Sequence, residues 1–129
     1  PCSIYGDNIP ILKYIVNFTY VENTGAAFGM MSKLTIPLAI FTTLVIGFFI
    51  YMYYKNIRKR NSLLLKLSFI LLISGALGNL IDRVFRGYVI DFIDVAFMNF
   101  AVFNIADIYI TCGCILLMIY ILFFFKEDK

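Results

Sequence analysis

The sequence predicts an all-α integral membrane protein, a small transmembrane helix bundle with a small β or extended cradle on its outer surface. Three observations predict it. The 129 residues are 62% hydrophobic, with a mean hydropathy of +0.90 and only 15% charge, more apolar surface than a soluble domain of this length buries in one core. A run from Leu34 to Tyr54 carries no charge at all. The net charge of +3 is concentrated in one short loop, residues 55–62. With no internal repeat, low-complexity tract or linker, residues 1–129 read as a single membrane domain.

The elements follow in order. Residues 1–33 read as the outer cradle. Within them ILKYIVNFTYVE, residues 11–22, alternates β-branched and aromatic residues loosely with polar ones, as short strands on a membrane surface do. In NTGAAFGM, residues 23–30, Asn23 and Gly25 signal a turn, and the small Ala26 and Ala27 allow another backbone to approach.

The run at 34–54 is 21 residues long, enough at about 1.5 Å per residue to cross about 30 Å of hydrocarbon. A second span covers 63–81, its only charge, Lys66, close enough to its start to snorkel. A third covers 105–125 and contains Asp107.

Orientation comes from the basic loop, since Lys and Arg are retained in the cytoplasm. Lys55, Arg58, Lys59 and Arg60 fix 55–62 as cytoplasmic, so 1–33 and 82–104 lie outside and the closing KEDK lies inside. This leaves the first residue outside with no signal peptide of its own, which implies a further helix upstream, entering from the cytoplasm.

Composition excludes several function classes. Without histidine, no His-based metal site or Ser-His-Asp triad can form. Cys2, Cys112 and Cys114 make neither a disulfide framework nor a CxxC site. No metal and no cofactor are expected, and the positive charge reads as a topology signal rather than a nucleic-acid footprint.

The polar residues at the outer ends of the spans are the candidate site. Gly75, Gly78, Asn79 and Asp82 fall at i, i+3, i+4 and i+7 on one helix face. The glycines let a neighbouring helix pack closely, Asn79 can bond across the contact, and Asp82 can pair with Arg83 or with the following loop at the helix end. Asn104, Asp107 and Thr111 form a matching polar stripe at the start of the third span.

An intramembrane carboxylate costs about 2.5–3.5 kcal/mol on insertion scales, so Asp107 is a functional candidate. Its structural alternative is an ion pair with Arg83 or Arg86. Against that stands a second acid, Asp91, in the apolar stretch YVIDF. Two carboxylates held close together share a proton, so one form can take a proton from water while the other donates one. That is an aspartic-protease arrangement, needing neither a metal nor a nucleophilic side chain. A transporter or channel subunit using Asp91 and Asp107 for cation binding or proton relay is the alternative. Against it, no polar chain continues to the cytoplasmic side.

Four blocks, NTGAAF at 23–28, GALGNLIDR at 75–83, GYVIDF at 87–92 and FNIADIYITCG at 103–113, resemble in order and spacing those of the lipoprotein signal peptidases (signal peptidase II). The resemblance implies an aspartate dyad, matched here by Asp91 and Asp107, that cleaves bacterial prolipoproteins before a lipid-modified cysteine. It implies supporting or substrate-binding positions at Asn23, Gly25, Gly75, Asn79, Asp82, Arg83 and Asn104. Asp94 lies outside the matching positions. Also implied are lipid-modified prolipoprotein substrates, a membrane-lipid environment, no nucleic-acid partner, a monomer, and a place in the bacterial cytoplasmic (inner) membrane with the site near the outer face. Members of that family have four helices; this chain starts after the first.

Overall fold

The computed structural model describes residues 3–24 and 35–126. Three strands and three helices alternate unevenly along the chain: β1 (Ser3–Leu12), β2 (Val16–Asn23), α1 (Thr35–Met52), α2 (Leu63–Arg86), β3 (Val89–Val95) and α3 (Ile105–Phe123). A five-residue π-helical turn, Tyr53–Ile57, extends α1. All three helices are long and apolar enough to cross a membrane.

The all-α expectation is corrected by the strands. They form an antiparallel sheet in the order β1-β2-β3, too extensive for an adornment on a helical fold. Strand-rich composition had marked 11–22. Its partners are Ser3–Leu12, ahead of it, and Val89–Val95, more than sixty residues later. Ile93 also bridges to Phe103, which covers part of the outer edge of β3.

The turn expected at Asn23 and Gly25 falls partly outside the described residues; the hairpin tip between the first two strands lies earlier. β1 turns into β2 at Lys13–Ile15, closed by the Ile15 N–H donating to the Leu12 carbonyl at 2.9 Å, whereas Asn23 ends β2. Turns of this kind favour Gly or Asn because a residue must take positive φ. Here Tyr14 takes it, at φ 66°, so no turn residue advertised the tip.

α2 is the middle helix, packed against α1 on one side and α3 on the other. Ser62 caps its start by accepting the Leu65 N–H at 3.3 Å. At its other end Gly87 adopts φ 80°, a left-handed geometry that reverses the chain directly into β3. The helix therefore runs to Arg86, and Asp82 and Arg83 lie in its last turns instead of in the following loop. Thr35, the first residue of α1, donates its hydroxyl to the Gly87 carbonyl at 3.0 Å, pinning α1 to this corner.

The α2–α3 contact depends on two glycines. A Cβ at Gly75 would sit 2.5 Å from the Ala106 carbonyl oxygen and 3.0 Å from the Ile110 nitrogen, and one at Gly113 would sit 2.8 Å from Leu72 Cγ and 3.0 Å from the Ser68 carbonyl. Backbone thus meets backbone at both levels. Ile57, Leu65, Phe69 and Tyr120 close a small core at the basic-loop end. The outward faces of all three helices carry exposed Leu, Ile and Phe, a surface suited to lipid and costly in water. The chain is an integral membrane protein.

Candidate active site

The site lies where the sheet meets the ends of α2 and α3 away from the basic loop. α3 begins with a capping box: Asn104 Oδ1 accepts the Asp107 N–H at 3.0 Å, and Asp107 Oδ2 accepts the Asn104 N–H at 3.1 Å. Because its oxygen is committed to the cap, the Asn104 amide must present Nδ2 to the rest of the site. That group donates to Asn79 Oδ1 at 2.9 Å, Asp91 Oδ1 at 3.0 Å and the Ile90 carbonyl at 3.2 Å. With two hydrogens for three acceptors, one hydrogen is shared.

The polarity then propagates. Asn79, accepting on its oxygen, donates Nδ2 to Asp107 Oδ1 at 3.0 Å. Asn23, from the end of β2, donates to Asp91 Oδ2 at 3.0 Å. Two amides thus link the carboxylates, and every oxygen of both acids accepts an N–H. Neither acid is held by an arginine: the oxygens of Asp107 are occupied by Asn79 and Asn104.

Asp91 is 2% exposed and buried on the sheet face that turns toward α2. Burial pushes its carboxyl up to about 6, with a further upward push from the Asp107 charge; the bonds from Asn23 and Asn104 and the Arg83 charge oppose the rise. Asp91 and Asp107 both open onto one cavity of about 570 Å³. Asn23 contributes its polar edge, Phe100–Phe103, Ile108, Thr111 and Cys112 its remaining walls. A mostly apolar cleft with two linked acids suits proton exchange with a water and a bound amide.

The remaining predicted residues sit around this centre. Asp82 Oδ2 accepts the Ile90 N–H at 3.1 Å, and its Oδ1 lies 3.5 Å from Arg86 Nε. Of the two ties expected for Asp82, to Arg83 or to the following loop, the loop tie is the one formed, and the charge partner is Arg86, one helical turn on; the Arg83 Nε is buried between the helices. The Ile90 peptide is consequently gripped at both ends, N–H by Asp82 and carbonyl by Asn104, just ahead of Asp91. Gly75 lies at the closest α2–α3 approach. Gly25 falls outside the described residues. Asp94 belongs to a different group, accepting from buried Thr19 at 3.3 Å.

Sequence reasoning missed Phe100–Phe103 as cavity walls and missed Gly113. Gly113 had a readable signal, since a glycine two turns along α3 from the polar stripe marks a close approach. Phe103 opened the FNIADIYITCG block, but residues 100–102 carried no signal.

A model of the family described as signal peptidase (SPase) II matches residues 3–123. The lipoprotein signal peptidase of Streptococcus thermophilus (strain CNRZ 1066) is 46% identical over 121 residues, covering 94% of this chain and 76% of that relative. That of Clostridioides difficile (strain 630) is 46% identical over 124 residues, covering 94% and 80%. A bacterial membrane enzyme solved by the in meso method at 2.3 Å resolution superposes with a TM-score of 0.83 at 36% identity, covering 96% of this chain and 77% of that one. The family match spans residues 3–123, and on it the chain belongs to the signal peptidase II family.

Proposed function

We propose that the protein is an aspartic endopeptidase of the membrane, with Asp91 and Asp107 as its catalytic pair, removing signal peptides from lipid-modified prolipoproteins just before the diacylglyceryl-cysteine. That it is a lipoprotein signal peptidase follows from its family; the aspartic chemistry and the residues are our reading. The observation that carries this reading is the single cavity onto which both acids open, with Asn104 bonded to each.

In this mechanism the raised proton affinity of Asp91 gives it the acid's part, and Asp107 is the base. Asp107 draws a proton from a water in the cavity as that water attacks the scissile carbonyl carbon. Asp91 protonates the carbonyl oxygen, and return of a proton to the leaving amine breaks the C–N bond. Asn23, Asn79 and Asn104 orient the acids, Asp82 fixes the backbone before Asp91, Gly75 lets the helices close, and Arg83 supplies balancing positive charge. Gly25, in the NTGAAF block, is kept with them as a substrate-binding position on the family resemblance alone.

The basic loop 55–62 supports a placement in the bacterial inner membrane with spans 34–54, 63–81 and 105–125, and with segments 1–33 and 82–104, hence the site, at the outer face. On this reading the protein works as a monomer among lipids. The transport reading gains nothing from the relatives.

The test is cleavage of a lipid-modified prolipoprotein by the purified protein in detergent. Turnover is expected without an ion gradient and in the presence of EDTA; loss with EDTA and recovery with a divalent metal would overturn the dyad chemistry.

A further inference from the structure

The hairpin tip holds a residue that its backbone does not favour. Tyr14 sits at φ 66°, a conformation costing a non-glycine residue about 1 kcal/mol or more, and its ring is 75% exposed. A Gly or Asn there would relieve the cost, so local backbone preference does not account for the aromatic ring.

The ring has company. Ala96 N–H donates to the Ile15 carbonyl at 2.9 Å, bringing the segment after β3 alongside the tip, where Phe97 is 68% and Met98 53% exposed. Residues 95–104, VAFMNFAVFN, contain no charged residue. At the tip itself, Leu12–Val16, the single charge is Lys13, whose ammonium lies 5.1 Å from the Tyr14 ring centroid.

An uncharged aromatic rim beside one lysine is the composition of a membrane–water interface, and it repels a purely aqueous setting. The bilayer is within reach. β3 begins two residues past Gly87, and its neighbour Phe103 lies two residues before the start of α3. The patch is also continuous with the site, because Phe100 lines the catalytic cavity.

We infer that Leu12, Tyr14, Ile15, Phe97 and Met98 form an anchor that dips into the phospholipid leaflet at the site's end of the bundle, with Lys13 at the phosphate level. The sheet then lies along the membrane instead of standing away from it, and the height of the cavity above the acyl chains is set by this second attachment as well as by the helices. The inference uses the outer-face placement proposed above and is independent of the identity of the catalytic pair.

The chain has no tryptophan, so Tyr14→Trp and Phe97→Trp each create a sole reporter at an exposed position. The protein would be reconstituted in equimolar phosphatidylcholine and phosphatidylglycerol vesicles, with and without bromine on the acyl chains. The expected result is blue-shifted emission, most of it lost on bromination, with little quenching by aqueous acrylamide. Lys13→Glu in the Tyr14→Trp background should reduce the bromine effect in these anionic vesicles. Strong acrylamide quenching with no bromine effect at both positions overturns the anchor. If prolipoprotein cleavage by those same variants stays at wild-type rate, the peptidase reading stands without it.

Discussion

Asn104 and Asp107 hold each other through reciprocal hydrogen bonds, the backbone N–H of each donating to the side chain of the other at 3.1 and 3.0 Å. The helix cap and the proposed catalytic pair therefore share an acid, which makes the two acids unequal toward substitution.

Both Asp91→Asn and Asp107→Asn should abolish cleavage, but only one should weaken the fold. At 91 the substitution removes the desolvation cost of a buried charge, and the new Oδ1 still accepts the Asn104 Nδ2. At 107, the new NH2 faces either the Asn104 backbone N–H or Asn79 Nδ2, and turning Asn79 merely sets it against Asn104. Thermal melting in detergent near neutral pH should place Asp91→Asn at or above wild type and Asp107→Asn lower by about 1–2 kcal/mol. Cleavage within about tenfold of wild type, roughly 1.4 kcal/mol in the barrier, would remove that residue from the pair.

The pH dependence of stability should carry the signature of Asp91. Its folded value of about 6 lies above the ordinary 3.8, so the folded chain holds more protons than the unfolded one in that interval. Stability from this group is full below about pH 4, declines as pH rises to about 6 and is level above it, a span of at most about 3 kcal/mol. Asp91→Asn should flatten this slope in chemical or thermal melts. Asn23→Ala, which removes a donor to the charged form, should move the upper end of the slope higher by about one pH unit; a downward shift would contradict the bond.

Asp82 separates its two partners cleanly. Asp82→Asn keeps an oxygen for the Ile90 N–H and gives up only the ion pair with half-exposed Arg86, so melting should change by less than about 1 kcal/mol. Asp82→Ala frees the Ile90 peptide and should cost about 1–3 kcal/mol. Its turnover should fall as well, because the next residue is Asp91; equal melting of the two variants would argue against the clamp.

The two seam glycines should part company in the same way. Alanine at either position forces backbone apart and should cost about 1–3 kcal/mol. Gly75→Ala presses on the Ala106 carbonyl, directly before Asp107, and should reduce turnover in protein that still melts cooperatively. Gly113→Ala presses on Leu72 and Ser68, farther toward the basic loop, and its surviving folded fraction should cleave at nearly the normal rate. Normalising activity to folded protein by thermal melting distinguishes them.

Much of this arrangement could be read in the sequence, for reasons that particular residues make plain. Length and hydropathy marked the three helices because lipid imposes both. Spacing brought Gly75 and Asn79 to one face, since helical periodicity is local. The sheet was only half legible: Val16–Asn23 alternates, but its pairing with Val89–Val95 is fixed by contacts that no local pattern encodes. The tip at Tyr14 was hidden because its turn breaks the usual residue preference. The tie from Asp82 to the following loop was legible, whereas its charge partner was sought in adjacent Arg83, and side chains one turn apart are the ones that meet. The direction of the amide relay also lay beyond reach, because only the cap geometry of Asn104 decides which end of that side chain faces the acids.

The residues that grip the two acids come from β2, α2, β3 and the first turn of α3, and Asn104 is the piece that ties the rest together. In a chain made from its amino end, Asn23, Asn79 and Asp91 all leave the ribosome before the residue that joins them. Before α3 is in place, neither Asp107 nor the amide that joins the two acids is present. On the proposed dyad, a nascent chain therefore acquires its cutting power late and all at once, as the membrane receives α3.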